Sequence, residues 1–228
     1  LSSNLDINAI TFYSKTDMLM DMPGAGVENM MGMQIPYTSD VKWSFKDEKK
    51  GVKTKLKYNY GNDSLLIWGI DYINNEGGRY GKVNNLLNMG PIMGKRPMNV
   101  KTDMDLNKDT VATFIMNTYK YDDFEFTQGI RYEKSDYKVV RAQNVTPPMG
   151  KPTSSYQSFE KDEDNYAWEL SGSYSYSDTG RTYLRYERGF TSPGPSLLTN
   201  KYGGSYYLNN LDSQTYNSFE IGMSDYKG

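Results

Sequence analysis

The sequence predicts an all-β fold: an antiparallel transmembrane β-barrel wall of about eight strands, part of a larger barrel, with short periplasmic turns and long extracellular loops. Three observations carry that expectation. Apolar and aromatic residues alternate with polar or charged ones at a period of two, which is the strand period. The connections between such segments alternate strictly between short and long. The composition is that of strands and turns, with Tyr and Gly at 21 each among 228 residues and aromatics at 14%. An aromatic face opposite a polar one suits a strand with lipid on one side and a wet lumen on the other.

In chain order, LDINAITFYSK (Leu5 to Lys15) reads as a strand. A long Met- and Gly-rich segment without a period follows to about Lys49. Over Gly51 to Tyr60, Val52, Thr54, Leu56, Tyr58 and Tyr60 alternate with Lys53, Lys55, Lys57 and Asn59. Gly61-Asn62-Asp63 supplies a turn, and the return strand to Asn74 places Leu66, Trp68, Ile70 and Tyr72 on one face. A second long segment, about 75–108, contains GG, GP and RP breakers. Asp109 to Tyr121 and Phe124 to Val140 form the next pair around Asp122-Asp123; Phe124, Phe126, Ile130 and Tyr132 share a face, while VATFIMNTYK is apolar on both faces and fixes no register. A third long segment spans about 141–162.

The clearest unit runs from Glu163 to Pro193. Tyr166, Trp168, Leu170, Gly172, Tyr174 and Tyr176 fall on one face; Ala167, Glu169, Ser171, Ser173 and Ser175 fall on the other. Ser177-Asp178-Thr179-Gly180 reads as the turn, with Gly180 free to take positive φ. Leu184 and Tyr186 continue one face, Arg185 and Glu187 the other. A fourth long segment, about 192–214, leads to a last strand, Thr215 to Tyr226, with Phe219, Ile221 and Met223 on one face. Soluble β-sandwiches alternate too, but their loops lack this asymmetry between ends, and four long connections in a row call for a reason.

The net charge of −2 provides no field for nucleic acid. No apolar run reaches the length of a transmembrane helix, and the mean hydropathy of −0.75 is compatible with a barrel, in which only alternate residues meet lipid. With no Cys there are no disulfides, zinc-thiolate sites or thiol nucleophiles. With no His, the commonest general base and metal ligand are missing. No nucleophile–base pair can be built from the remaining spacing, so no enzyme is expected. Leu1-Ser2-Ser3-Asn4 lacks signal-peptide character, and an export signal would lie elsewhere.

Three stretches resemble the TonB-dependent receptors, outer-membrane transporters of iron-siderophores, haem and cobalamin. TYLRYERGFTSPGPSLL resembles that family's Y-x-x-Y-S-x-G-F-R-x-P strand end through Tyr183, Tyr186, Gly189, Phe190 and Pro193, with Thr191 in place of the usual Arg. QTYNSFEIGMSDYKG resembles its E-x-x-x-S-Y-E-x-G strand through Ser218, Phe219, Glu220 and Gly222. FTQGIRYEKSDY resembles its L-x-x-G-x-R-Y-D strand through Gly129, Arg131 and Tyr132. The resemblance implies residues 1–228 as a middle section of barrel, without the plug domain, TonB box or terminal aromatic strand. It also implies a bilayer location in the outer membrane of a Gram-negative-type bacterium, an iron-chelate ligand and a TonB-type energy-transducing partner acting through the plug. The family's haem-binding members use His in the plug and in the loop after the Gly-Phe-x-x-Pro strand end. The corresponding segment here has none, which favours a siderophore-type chelate, while a passive porin and a glycan-binding secreted β-sandwich remain alternatives.

Candidate ligand contacts are Tyr202, Tyr206 and Tyr207, whose rings suit stacking on a flat chelate or a place at the membrane–water boundary. Arg79 and Arg96 suit an anionic ligand if they are not merely solvated. Met18, Met20, Met22, Met30, Met31 and Met33 invite a soft-metal reading, against which stands simple gap-filling by Met. Arg185, Glu187 and Glu169 resemble a catalytic carboxylate couple but equally a charged lumen lining. No resident cofactor is expected.

Overall fold

The computed structural model describes residues 4–30, 32–61, 63–202, 205–209 and 211–226, with the side chains of 195–196, 199–202 and 205–208 outside the description. Alternating, turn-punctuated segments give eight long antiparallel strands: β1 (Leu5–Met30), β2 (Met33–Tyr60), β3 (Ser64–Asn88), β4 (Lys95–Tyr121), β5 (Phe124–Thr146), β6 (Thr153–Ser175), β7 (Gly180–Thr191) and, after a small hairpin of β8 (Thr199–Tyr202) and β9 (Ser205–Leu208), β10 (Gln214–Asp225). They form one sheet in the order β1-β2-β3-β4-β5-β6-β7-β10, a half-barrel meander in which every neighbour is antiparallel. Among the described residues the second sheet is the two-stranded β8–β9 hairpin, too small to be the other half of a sandwich.

The turns at 61–63, 122–123 and 176–179 therefore share one rim, and the other connections share the opposite rim. Gly61, Asp63 and Asp122 adopt positive φ, as tight hairpin turns require. Gly180 does not; it opens β7, and its carbonyl accepts from the Tyr176 amide at 3.0 Å.

The second rim corrects the reading of the long connections. Most of 16–49, 75–108 and 141–162 is strand: β1 and β2 pair from Leu5↔Tyr58 to Met30↔Met33, and β3 and β4 from Leu65↔Thr118 to Asn88↔Lys95. Only a four-residue helix, α1 (Gly90–Met93), caps the second hairpin. The Met-rich stretch is thus extended hairpin, with Met31 outside the described residues.

One face presents Leu56, Trp68, Ile115, Ile130 and Trp168, register partners in turn, and beside them Leu170, Tyr186 and Phe219, likewise partners in turn. Their exposure is what a lipid-facing surface shows in the absence of lipid: Trp68 44%, Phe126 45%, Leu170 56% and Ile221 73%. Tyr58, Tyr60, Tyr121, Phe124 and Tyr174 edge this band below; Tyr13, Tyr72, Tyr132 and Tyr166 edge it above. Between Phe124 and Tyr132 a tilted strand climbs about 20 Å, close to the apolar height of an outer-membrane barrel. Charged residues within the band point to the other face, Arg188 near the upper edge being the exception.

Above the band the hydrophobic phase inverts. On β2 the apolar residues below are Val52, Leu56 and Tyr58, and above they are Val41, Trp43 and Phe45, on the opposite face. The same inversion occurs on β3 (Trp68, Ile70 against Val83, Leu87), β4 (Val111, Ile115 against Met104, Leu106) and β5 (Phe126, Ile130 against Tyr137, Val139). Pairing of β2 with β3 runs unbroken from Tyr37↔Leu87 to Tyr60↔Ser64, so no bulge causes it. The environment causes it: lipid lies outside the lower strand, water outside the upper. The core accordingly sits on the inner face above the band, where Trp43, Val83, Met104, Leu106, Tyr137 and Val139 pack around Leu198.

Candidate functional site

The inner wall has two levels. Within the band it is charged and internally paired. Arg131 bridges Asp71 and Glu133 at 3.1 Å each. Arg185 reaches Glu169 at 3.1 Å and Glu187 at 2.6 Å. The suggested carboxylate couple is thus two carboxylates on one guanidinium, a lumen lining with no free acid–base pair.

Above the band lies the apolar recess, into which the connection between β7 and β10 sends Leu198. Leu198, at the end of a 3-10 turn (Pro195–Leu198), has 0% exposure; burying such a side chain contributes about 1.5–3 kcal/mol. The ends of the connection are tied to the wall by polar contacts. Ser192 donates to Glu133 at 3.1 Å and accepts from Asn165 at 3.3 Å. The Pro193 carbonyl lies 3.2 Å from the Tyr137 hydroxyl and 3.4 Å from Lys108 Nζ. Glu163 accepts from the Ser213 amide at 3.1 Å and its hydroxyl at 2.7 Å. Lys161 bridges Glu163 at 2.7 Å and Asp212 at 2.6 Å.

These groups stand above the lipid band, and their ionisation follows from their neighbours. Burial alone would raise the Glu163 carboxyl, but Lys161 and the Ser213 donors override it and hold it below the usual carboxylate range. Burial, then the Glu163 charge, push the Tyr137 phenol up. The Tyr137 proton has two acceptors in reach, Pro193 O and Glu163 Oε2 at 3.3 Å.

The sequence-predicted residues are not gathered in one place. Arg79 lies on the inner face of β3 with 5% exposure. Its guanidinium donates to Asp47 at 2.8 Å and to the carbonyls of Lys46 at 3.1 Å and Gly78 at 2.9 Å, over the Phe45 ring. Arg96 opens β4 at the hairpin tip, exposed, its Nε 3.2 Å from the Met93 carbonyl. Leu87, the register partner of Arg96, is eight residues from Arg79, about 27 Å of strand. Tyr202 pairs with Ser205, Tyr206 with Lys201 and Tyr207 with Asn200 in the β8–β9 hairpin; their side chains lie outside the described residues, as do Gly203 and Gly204. Met18, Met20 and Met22 occupy alternate positions of β1 opposite Phe45, Trp43 and Val41. Neighbours in such a row are about 7 Å apart, wide for one ion but right for extending the apolar inner face. Among the described residues no group of three His, Cys, Asp or Glu is disposed to hold a metal.

Sequence reasoning missed Leu198, Glu163, Tyr137 and Lys108 as a unit. The available signal was the inverted alternation over Val41-Lys42-Trp43-Ser44-Phe45, which marks an inner apolar patch in need of a cover.

The family model for TonB dependent receptor-like β-barrels matches residues 1–228. No curated protein matches the sequence. Among solved structures, the ferric yersiniabactin uptake receptor FyuA from Yersinia pestis resembles the chain at a TM-score of 0.60 and 14% identity, over 100% of this chain and 32% of its own. The chain thus spans about a third of that receptor, and at this identity the likeness is one of fold.

Proposed function

The chain belongs to the TonB-dependent receptor β-barrel family, and we propose that it forms a section of the barrel wall of an outer-membrane receptor that takes up an iron chelate of the siderophore type. The observation that carries this reading is the two-level wall: a lipid-facing band with aromatic edges outside, and a charged lumen surmounted by an apolar vestibule inside. The rim of long hairpins is the extracellular side, and the short turns face the periplasm. A plug domain and a TonB-type protein of the inner membrane supply the energised release. The role is that of a receptor and not of an enzyme.

The ligand contacts on this chain are Arg96 at the β3–β4 tip and the Tyr202, Tyr206 and Tyr207 hairpin. Arg79, with its donors taken by Asp47 and two carbonyls, acts on the vestibule by shaping it. A siderophore is favoured over haem because its iron is already coordinatively saturated and asks only for aromatic and polar contacts. Haem would ask for an axial ligand: no His is present, and a Tyr phenolate would need a depressed pKa. The fold neighbour's own cargo, ferric yersiniabactin, is in line with this.

The test titrates the full receptor in detergent with ferric siderophores of the catecholate, hydroxamate and phenolate classes, and separately with haem. Saturable fluorescence quenching by one siderophore class is expected. A tight, Soret-shifted haem complex that weakens in the Tyr206→Phe, Tyr207→Phe double variant would overturn the preference.

A further inference from the structure

Pairing of charges along the lumen wall runs from β3 to β7 and stops short of β2. The inner face of β2 carries Lys49, Lys53, Lys55 and Lys57 in one column, from the upper edge of the lipid band downward. Among the described residues none of the four has a carboxylate within ion-pairing distance. The acids beside them are engaged or out of reach. Asp71, the register partner of Lys53, is held by Arg131 at 3.1 Å, and Asp47, next above Lys49 on the same face, by Arg79 at 2.8 Å. Asp6, across from Lys57 on β1, makes no ion pair with it. Like charges about 7 Å apart along one strand face repel one another, so the column favours an anion beside it.

At position 51 the column is interrupted by glycine, and a ring fills the gap. Phe12 of β1 is the register partner of Gly51 and leans across it, so that a Cβ there would fall 2.8 Å from the ring. The half-buried ring lies between Lys49 and Lys53, each ammonium 5.9 Å from its centroid. One guest can therefore meet an aromatic surface and two positive charges together. Phe114 gives the contrast. It leans over Gly69 in the same manner, but its cation, Arg131, 6.0 Å from the ring centroid, is taken by Asp71 and Glu133.

We infer that Phe12, Lys49 and Lys53 form a binding site for an aromatic anion, an aryl carboxylate or phenolate, with Lys55 and Lys57 continuing the positive track toward the short turns. The site lies about 13 Å of strand below Phe45, where the apolar recess gives way to the charged lumen. Its place on a route of uptake rests on the receptor reading above; the binding itself does not.

The test is equilibrium dialysis of the full receptor in detergent against benzoate and against cyclohexanecarboxylate, which has the same charge and no aromatic ring. Benzoate should bind more tightly, and more weakly as salt rises. Lys49→Gln with Lys53→Gln should weaken it on the order of tenfold. Lys42→Gln with Lys46→Gln, which removes the same charge from the outer face of the same strand, should not. Phe12→Leu should abolish the preference for the aromatic anion, a loss of about threefold. In the unaltered receptor benzoate should also slow acetylation of Lys49 and Lys53 and leave Lys42 unchanged, a readout that needs no variant to fold. Equal binding of the two anions, or Lys49 and Lys53 unprotected by benzoate, would overturn the site. Benzoate held by Phe12, Lys49 and Lys53 in a receptor that binds no ferric siderophore would overturn the uptake reading and leave the site standing.

Discussion

Trp43 lies directly over Gly81, its register partner on β3: a Cβ at position 81 would fall 1.7 Å from the indole ring. The absence of a side chain on β3 is what lets a fully buried indole form the floor of the recess. Gly81→Ala must displace Trp43, at a cost of about 1–3 kcal/mol for overpacking. At Gly129 an added Cβ would meet nothing nearer than 3.7 Å, so Gly129→Ala should be neutral. Thermal loss of the compact form on a heat-modifiability gel separates the two; equal midpoints would place Trp43 elsewhere.

Leu170 and Ser171 are neighbours in sequence on opposite faces of β6. Leu170, 56% exposed, pairs with Tyr186 on the lipid side, and Ser171 pairs with Arg185 on the lumen side. Leu170→Arg should cost about 2–4 kcal/mol near the bilayer midplane, and Ser171→Arg far less. Folding yield into lipid vesicles is the measurement, and similar yields would show the faces to be reversed.

The contact of Glu163 with Ser213 carries a definite pH dependence. Because its carboxyl is held below the usual range in the folded wall, it contributes stability above the unfolded pKa, about 4.3. That contribution is lost as pH falls through the folded value. The contact should therefore hold at neutral pH and be lost only below about pH 4, seen as a fall in the midpoint of a heat-modifiability gel run at stepped pH. Glu163→Gln should remove the transition. A transition near pH 6 instead would mean that another group controls this contact.

Arg79 is predicted to be a stabilising residue of the vestibule. Arg79→Ala leaves the Asp47 carboxylate and the carbonyls of Lys46 and Gly78 without this donor and uncovers Phe45, which should cost about 2–4 kcal/mol. Arg79→Lys should recover only part, since a point charge cannot serve three acceptors at once. Unchanged melting together with lost siderophore binding would instead return Arg79 to the list of direct ligand contacts.

Within the band, the sequence was easy to read. Trp68, Phe126, Leu170 and Ile221 face lipid as their alternation with charged neighbours requires, and the turns at Asp63 and Asp122 fall on one rim. VATFIMNTYK fixed no register because Phe114 and Met116 on the lumen side are as apolar as Ile115 on the lipid side; only its pairing with β3 decides. Segments 16–49 and 75–108 read as irregular because their alternation reverses partway, and a search for one constant apolar face averages the two phases to nothing. The way the β7–β10 connection meets the wall was illegible for another reason. Its partners, Glu133, Tyr137 and Glu163, are far from Ser192 and Ser213 in sequence, and no local pattern links a single Leu to a recess made by four other strands.

The reversal of phase also constrains how this chain can change its length. A residue inserted into β2 between Phe45 and Val52, with none added opposite, would rotate Trp43 and Phe45 to the watery exterior while Leu56 stayed against lipid. Two inserted residues restore the parity. Below the reversal, then, the tall strands can lengthen or shorten only in even steps, whereas the hairpin tips beyond Met30 and Asn88 are free of that restriction. Natural variation in hairpin height should accumulate at the tips, and odd-numbered indels near the lipid boundary should be confined to sites where a bulge absorbs them.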